Sequence, residues 1–93
     1  MDKNKVHKFY SDPGHGWLAV KLNDLIKLGL TQKISHYSYV KGQTVYLEED
    51  SDMTKFFTAF REKFGQFPSM KVIYLDKNSP IRSYDRYPFD CVS

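Results

Sequence analysis

Asp12 and His15 stand three positions apart in the run Ser11-Asp12-Pro13-Gly14-His15-Gly16-Trp17, the segment whose residue types come closest to acid–base chemistry. An imidazole titrates near neutral pH, and a carboxylate close by can orient it. Pro13 restricts one backbone angle, while Gly14 and Gly16 leave the His15 ring with little steric shielding at a loop tip. Read functionally, His15 is a general base or a contact residue with Trp17 beside it. Read structurally, the segment is a glycine-rich hairpin loop in which Asp12 caps the turn and Trp17 enters the core. The structural reading comes first, binding second and catalysis last, so no residue is assigned a catalytic role. A hydrolase built on Asp12 and His15 is the least favoured reading.

Rings and cations interleave in two other stretches. Lys3, Lys5, His7, Lys8, Phe9 and Tyr10 form one, and Arg82, Tyr84, Arg86 and Tyr87 the other. Cations meet phosphates and rings stack on bases, so such mixtures suit single-stranded nucleic acid. The net charge of +3 is small for that role. Tyr37, Tyr39 and Tyr46 form a third group, a tyrosine stripe if they share one face of a hairpin. Tyr, Trp and Arg are the residues enriched where proteins bind proteins. The candidate binding residues are therefore Asp12, His15, Trp17, Tyr37, Tyr39, Tyr46, Arg82, Tyr84, Arg86 and Tyr87.

Other chemistries find little support. His7, His15 and His36 lack the paired spacing of zinc motifs, and Cys91 is the one cysteine. No phosphate-cradling glycine loop with its lysine and no Gly-x-Ser-x-Gly elbow occurs. No cofactor and no metal are expected. The 93 residues suit one domain, spanning residues 1–93, and exclude large barrel enzymes. With 41% hydrophobic and 27% charged residues, the composition is that of an ordinary globular protein, not a disordered one. The longest apolar run, Trp17-Leu18-Ala19-Val20, is far short of the ~20 residues a membrane span needs. The N-terminus lacks the apolar run of a signal peptide. A soluble protein of a reducing cytoplasm, with no membrane role, is the expectation.

Elements must then position these groups. Met53, Phe56, Phe57, Phe60 and Phe64 recur at helical period, with Gly65 as the stop, and predict the central helix. The acidic block Glu48, Glu49, Asp50 and Asp52 precedes it, where carboxylates favour the positive helix end and Asp50, Ser51 or Asp52 can serve as N-cap; an acidic site for a basic partner or a metal is the less favoured reading. Lys5–Tyr10 and Trp17–Lys21 read as strands of one hairpin, followed by a short helix between Leu22 and Leu30, capped by Asn23 and stopped by Gly29. His36–Val40 and Thr44–Glu48 read as a second hairpin. With Lys41 and Gly42 as its loop, Tyr39 faces Thr44 and Tyr37 faces Tyr46, while Val40, Val45 and Leu47 share the other side with Ser38 and His36. Met70–Leu75 is a last strand, and residues 76–93 form an irregular C-terminal tail whose aromatics suggest that it packs. The sum is ββαββαβ, an α+β domain with an antiparallel or mixed sheet and helices on one face.

Three runs together carry a resemblance: Ser11-Asp12-Pro13-Gly14-His15-Gly16-Trp17-Leu18-Ala19-Val20, then Lys33-Ile34-Ser35 with Tyr37-Ser38-Tyr39, then Thr44-Val45-Tyr46-Leu47-Glu48-Glu49-Asp50. Over roughly residues 9–65 the chain resembles small proteins of tailed phages, prophages and related mobile elements, a group with no established activity. The resemblance implies a setting, the cytoplasm of a bacterial host, and transfers no catalytic residue. Small phage proteins often bind and redirect a host protein, defence factors included, which is an analogy between classes of gene. The expected function is thus a non-enzymatic accessory protein that binds a host or phage protein, with single-stranded nucleic-acid binding as the alternative. An edge strand could also pair with a second copy to give a homodimer.

Overall fold

The structure, a computed structural model, describes residues 1–87. Cys91 and the rest of the stretch 88–93 lie outside the described residues. The chain runs β1 (Val6–Ser11), β2 (Gly16–Lys21), α1 (Leu22–Lys27), β3 (Tyr39–Lys41), β4 (Thr44–Glu48), α2 (Met53–Phe64), β5 (Ser69–Tyr74), a 3₁₀ turn (Pro80–Ser83) and β6 (Asp85–Arg86). The strands form one six-stranded sheet in the order β5-β1-β2-β4-β3-β6. Among the described residues only β1 and β5 run parallel; the other pairings are antiparallel. This is a mixed-sheet α+β domain of the expected kind. Among the described residues, no helix is long and apolar enough to cross a membrane.

Alternation along the strands sorts the side chains onto two faces. Phe9, Leu18, Val20, Val45 and Leu47 point to the inner face, where they join Phe56 and Phe60 of α2 in one buried cluster. Leu25 of α1, Leu30 and Ile34 complete it. Each such side chain contributes roughly 1.5–3 kcal/mol of burial, set against the entropy of ordering the chain. His7 shares this face, buried edge-on against Phe56 at 5.2 Å and Phe60 at 6.2 Å between ring centroids. The outer face carries no α-helix among the described residues. Tyr10, Trp17, Ala19, Tyr46 and Tyr39 line it, and the stretch from Ser79 to Arg86 covers one end.

Several expectations need correction. The hairpin loop is Gly42-Gln43, not Lys41-Gly42, so Tyr39 pairs with Tyr46 and Lys41 with Thr44. Gly42 takes φ = 62° while Gln43 does not have positive φ, which is the pattern of a two-residue turn with glycine first. The inner and outer faces survive, because the register moves by a two-residue step. β3 starts only at Tyr39; His36 and Tyr37 lie in the preceding turn with their rings stacked at 4.8 Å. Neither Asn23 nor the acidic block supplies a side-chain cap: Lys21 and Asp52 hold the N-cap positions without one. Within the tail two short pieces are regular, the 3₁₀ turn Pro80–Ser83 and β6, which pairs with β3 and places Arg86 opposite Tyr39.

Candidate binding groove

Asp12 organises the loop at one end of the outer face. Its Oδ1 accepts hydrogen bonds from the amides of Gly14 (3.0 Å) and His15 (2.9 Å), closing the β1–β2 turn. Arg82 donates to both carboxylate oxygens, Nε to Oδ2 at 2.7 Å and Nη2 to Oδ1 at 2.9 Å, and the Ser79 amide donates to Oδ2 at 2.9 Å. The Arg82 guanidinium, with these amides, holds the carboxyl far below the usual carboxylate range. Asp12 is therefore buried as a clamp between loop and tail, and its carboxylate does not orient the His15 ring. A Cβ on Gly14 would stand 2.8 Å from Arg82 Nη2, so a larger residue there would displace the guanidinium from this position.

The imidazole has a different partner. His15 Nδ1 lies 3.6 Å from Oε2 of Glu48, which β4 brings beside Trp17 through the β2–β4 register. Glu48 is itself held in place: its Oε1 accepts from the Asp50 amide at 2.9 Å and the Ser51 hydroxyl at 3.0 Å. The His15 side chain is 48% exposed and Glu48 12%, so the pair faces solvent from one side. By sequence Asp50 and Ser51 are N-cap candidates, and Glu48 is the strand end that opens the acidic block. Nothing local marks Glu48 as the neighbour of His15, because the two meet only through a non-local strand pairing.

Trp17 is 2% exposed, yet it enters no helix-side core. It lies under Arg82, whose guanidinium carbon is 5.4 Å from the ring, with Tyr39 edge-on at 6.2 Å and His15 at 6.0 Å. Its indole Nε1 is buried without a hydrogen-bond partner among the described residues. Arg86 sits over the Tyr39 ring at 4.7 Å and donates from Nη1 to the His36 carbonyl at 3.2 Å. Together with Tyr37, these residues enclose an open groove of about 510 Å³, walled by His15, Trp17, Tyr37, Tyr39, Arg82 and Arg86 and rimmed by Glu48, Asp50 and Ser51. Aromatic faces, two guanidiniums and two carboxylates thus meet on one surface. Such a groove can grip a partner by stacking, charge and hydrogen bonding at once.

The remaining candidates divide. Tyr46 packs against Tyr84 at 5.2 Å and Tyr10 at 6.1 Å, next to the groove on the same face. Burial and those two neighbours push the Tyr46 phenol pKa up, so it stays a hydrogen-bond donor. Lys41 covers Tyr84 with its ammonium 4.8 Å from the ring. Tyr87 is no surface residue: it is buried in the core cluster, its hydroxyl donating to the Thr31 carbonyl at 2.7 Å and its amide to Ser38 at 2.8 Å. In the N-terminal stretch alternation splits the mixture, sending His7 and Phe9 inward and leaving Lys8 and Tyr10 outside. Among the described residues, no cluster of three or more His, Cys, Asp or Glu could hold a metal ion. Compared with protein-family models, curated proteins and solved structures, the chain matches none of them.

Proposed function

We propose that the protein is a non-enzymatic binding module that takes a segment of a partner protein into the groove around Trp17. One observation carries this reading. Six residues singled out for binding, His15, Trp17, Tyr37, Tyr39, Arg82 and Arg86, come from separate stretches of chain and wall the same groove. The tyrosines and arginines are of the type that dominates protein interfaces, and the mixed charge of the rim suits a polypeptide carrying both signs. The resemblance to proteins of phages and mobile elements supplies the setting, a bacterial cytoplasm, and the kind of partner, a host protein such as a defence factor. The test is capture from a bacterial lysate with wild-type protein and with Tyr37→Ala/Arg86→Ala, both checked for folding by circular dichroism. A protein retained by the wild type and lost by the double variant supports the groove. Retention unaffected by the variant, or no retained protein, overturns it.

A second reading has its own support. Lys8, Lys21, Lys41 and Lys71 are exposed, and strand register puts them on the outer face with Tyr10, Tyr39 and Tyr46. Rings framed by cations on an open sheet are what single strands use to stack bases and neutralise phosphates. Fluorescence titration with labelled single-stranded DNA and RNA at two salt concentrations separates the readings. Binding that weakens steeply with salt and with Lys8→Ala/Lys21→Ala favours this second one; no binding at low salt removes it. For a hydrolase, the expected Asp12–His15 pairing has no geometric support, since the Asp12 carboxylate is engaged by Arg82.

A further inference from the structure

We infer that a second copy of this chain docks on the free edge of β5, extending the sheet across a two-fold axis. The two ends of the sheet differ. At one end β6 is only two residues long, Asp85 and Arg86, both charged, which blunts that edge. At the other end β5 runs for six residues, Ser69–Tyr74, pairs with β1 without a bulge, and contains no proline. Among the described residues no strand lies beside its outward edge, which therefore presents a row of backbone donors and acceptors.

The side chains on that edge are as unguarded as the backbone. Parallel register with β1 pairs Met70 with His7 and Val72 with Phe9, placing both with Tyr74 on the inner face. The phenylalanines of α2 pack on His7, one strand in from the edge, and leave β5 uncovered. Met70, Val72 and Tyr74 remain 41%, 61% and 60% exposed, with Phe67 just before the strand at 56%. Apolar surface gathered along an open edge in this way is a pairing surface.

The pattern of the strand bears on the occupant, and like charge excludes one register. An antiparallel pairing about a two-fold normal to the sheet keeps inner face beside inner face, so it must be centred on a residue. Centring on Lys71 sets two ammoniums directly opposite one another, which is unfavourable. Centring on Val72 sets Val72 against the partner's Val72, Met70 against the partner's Tyr74, and Lys71 against the partner's Ile73. The apolar inner patch then continues unbroken across the junction, and the edge is complementary to itself.

The experiment measures mass in solution by light scattering for wild type, Val72→Lys, Val72→Glu and an equimolar mixture of the two variants. Val72 is exposed, so both variants should keep the fold, which circular dichroism checks. The wild type is expected at twice the 11.0 kDa chain mass, each variant alone at the chain mass, and the mixture restored to the doubled mass by the Lys–Glu pair at the two-fold. A monomeric wild type, or variants that stay dimeric alone, overturns the interface. A mixture that stays monomeric overturns the register centred on Val72.

Discussion

Replacing Asp52 by alanine should cost more stability than any exposed carboxylate in this chain. Its side chain is fully buried at the start of α2. The carboxylate accepts from the Ser35 amide at 3.0–3.1 Å, the Ser35 hydroxyl at 2.7 Å, the Ser38 hydroxyl, and the Lys55 ammonium at 3.0 Å. Ser38 passes the constraint on, its hydroxyl accepting from the Glu48 amide at 3.0 Å and its carbonyl from the Tyr87 amide at 2.8 Å. One knot thus ties α2, β4, the tail and the turn that leads into β3, and it sets the Tyr37–Tyr39 wall of the groove. Without the carboxylate, the Ser35 and Ser38 donors lose their acceptor, and an unpaired buried donor costs about 1–3 kcal/mol. The hydroxyls can rotate toward other acceptors and the carboxylate's own desolvation disappears, so the net loss is about 2–4 kcal/mol. A domain of this length holds roughly 5–14 kcal/mol in all, and the melting temperature should fall by about 10–25 °C. Urea unfolding of Asp52→Ala, Ser38→Ala and the double variant measures the loss and the coupling between the two residues. Burial opposes ionisation of Asp52, but the hydrogen bonds from Ser38, Ser35 and Lys55 together hold its pKa below the ordinary 3.8. With the folded-state pKa depressed, the stabilisation is present above 3.8 and is lost as pH falls through the folded value, so the gap to Asp52→Ala should narrow in acid. A loss below about 1 kcal/mol, or additive effects of the two substitutions, would refute the knot.

His7 should make the fold sensitive to mild acid. Burial, with Lys5 adding to it, lowers the imidazole pKa from 6.5, so stability is full above that value and falls as pH drops below it; His7→Phe should flatten urea midpoints between neutral pH and pH 5. Gly16→Ala should destabilise by about 1–3 kcal/mol, measured by the same unfolding, because a Cβ there would collide with the Phe9 ring and stand 2.9 Å from Glu49 Oε1. Arg82→Ala should red-shift the emission of the one tryptophan and speed amide exchange at Ser79, whose amide donates to Asp12, since the guanidinium both covers Trp17 and joins the tail to Asp12. Unchanged emission and exchange would mean that the tail is held elsewhere.

Periodicity was a good guide wherever one element's own pattern decides its form. The helix over Met53–Phe64 and the strand Thr44–Glu48 have the bounds that their apolar spacing predicts. The inner and outer sides of β1, β2 and β4 follow from alternation. Of the groove, the residue types were legible and the neighbours were not. His15 looked tied to Asp12, three residues away, but its partner is Glu48, which only the β2–β4 pairing delivers. Arg82 and Tyr87 look alike in a run of arginines and tyrosines, yet one closes over Trp17 and the other is buried beside Ser38.

By itself the sequence determined the central helix, the strand Thr44–Glu48 and which of their side chains seek burial, because these are set by spacing within a few residues. Tertiary structure decided which strands are neighbours, that β1 and β5 run parallel, and that the 79–86 stretch folds back over Trp17. The physical reason is range. Hydrophobic period is written along the chain, whereas the partner of a carboxylate or guanidinium is chosen by whatever the packed sheet brings within hydrogen-bonding distance. In this protein the groove consists almost entirely of such partners.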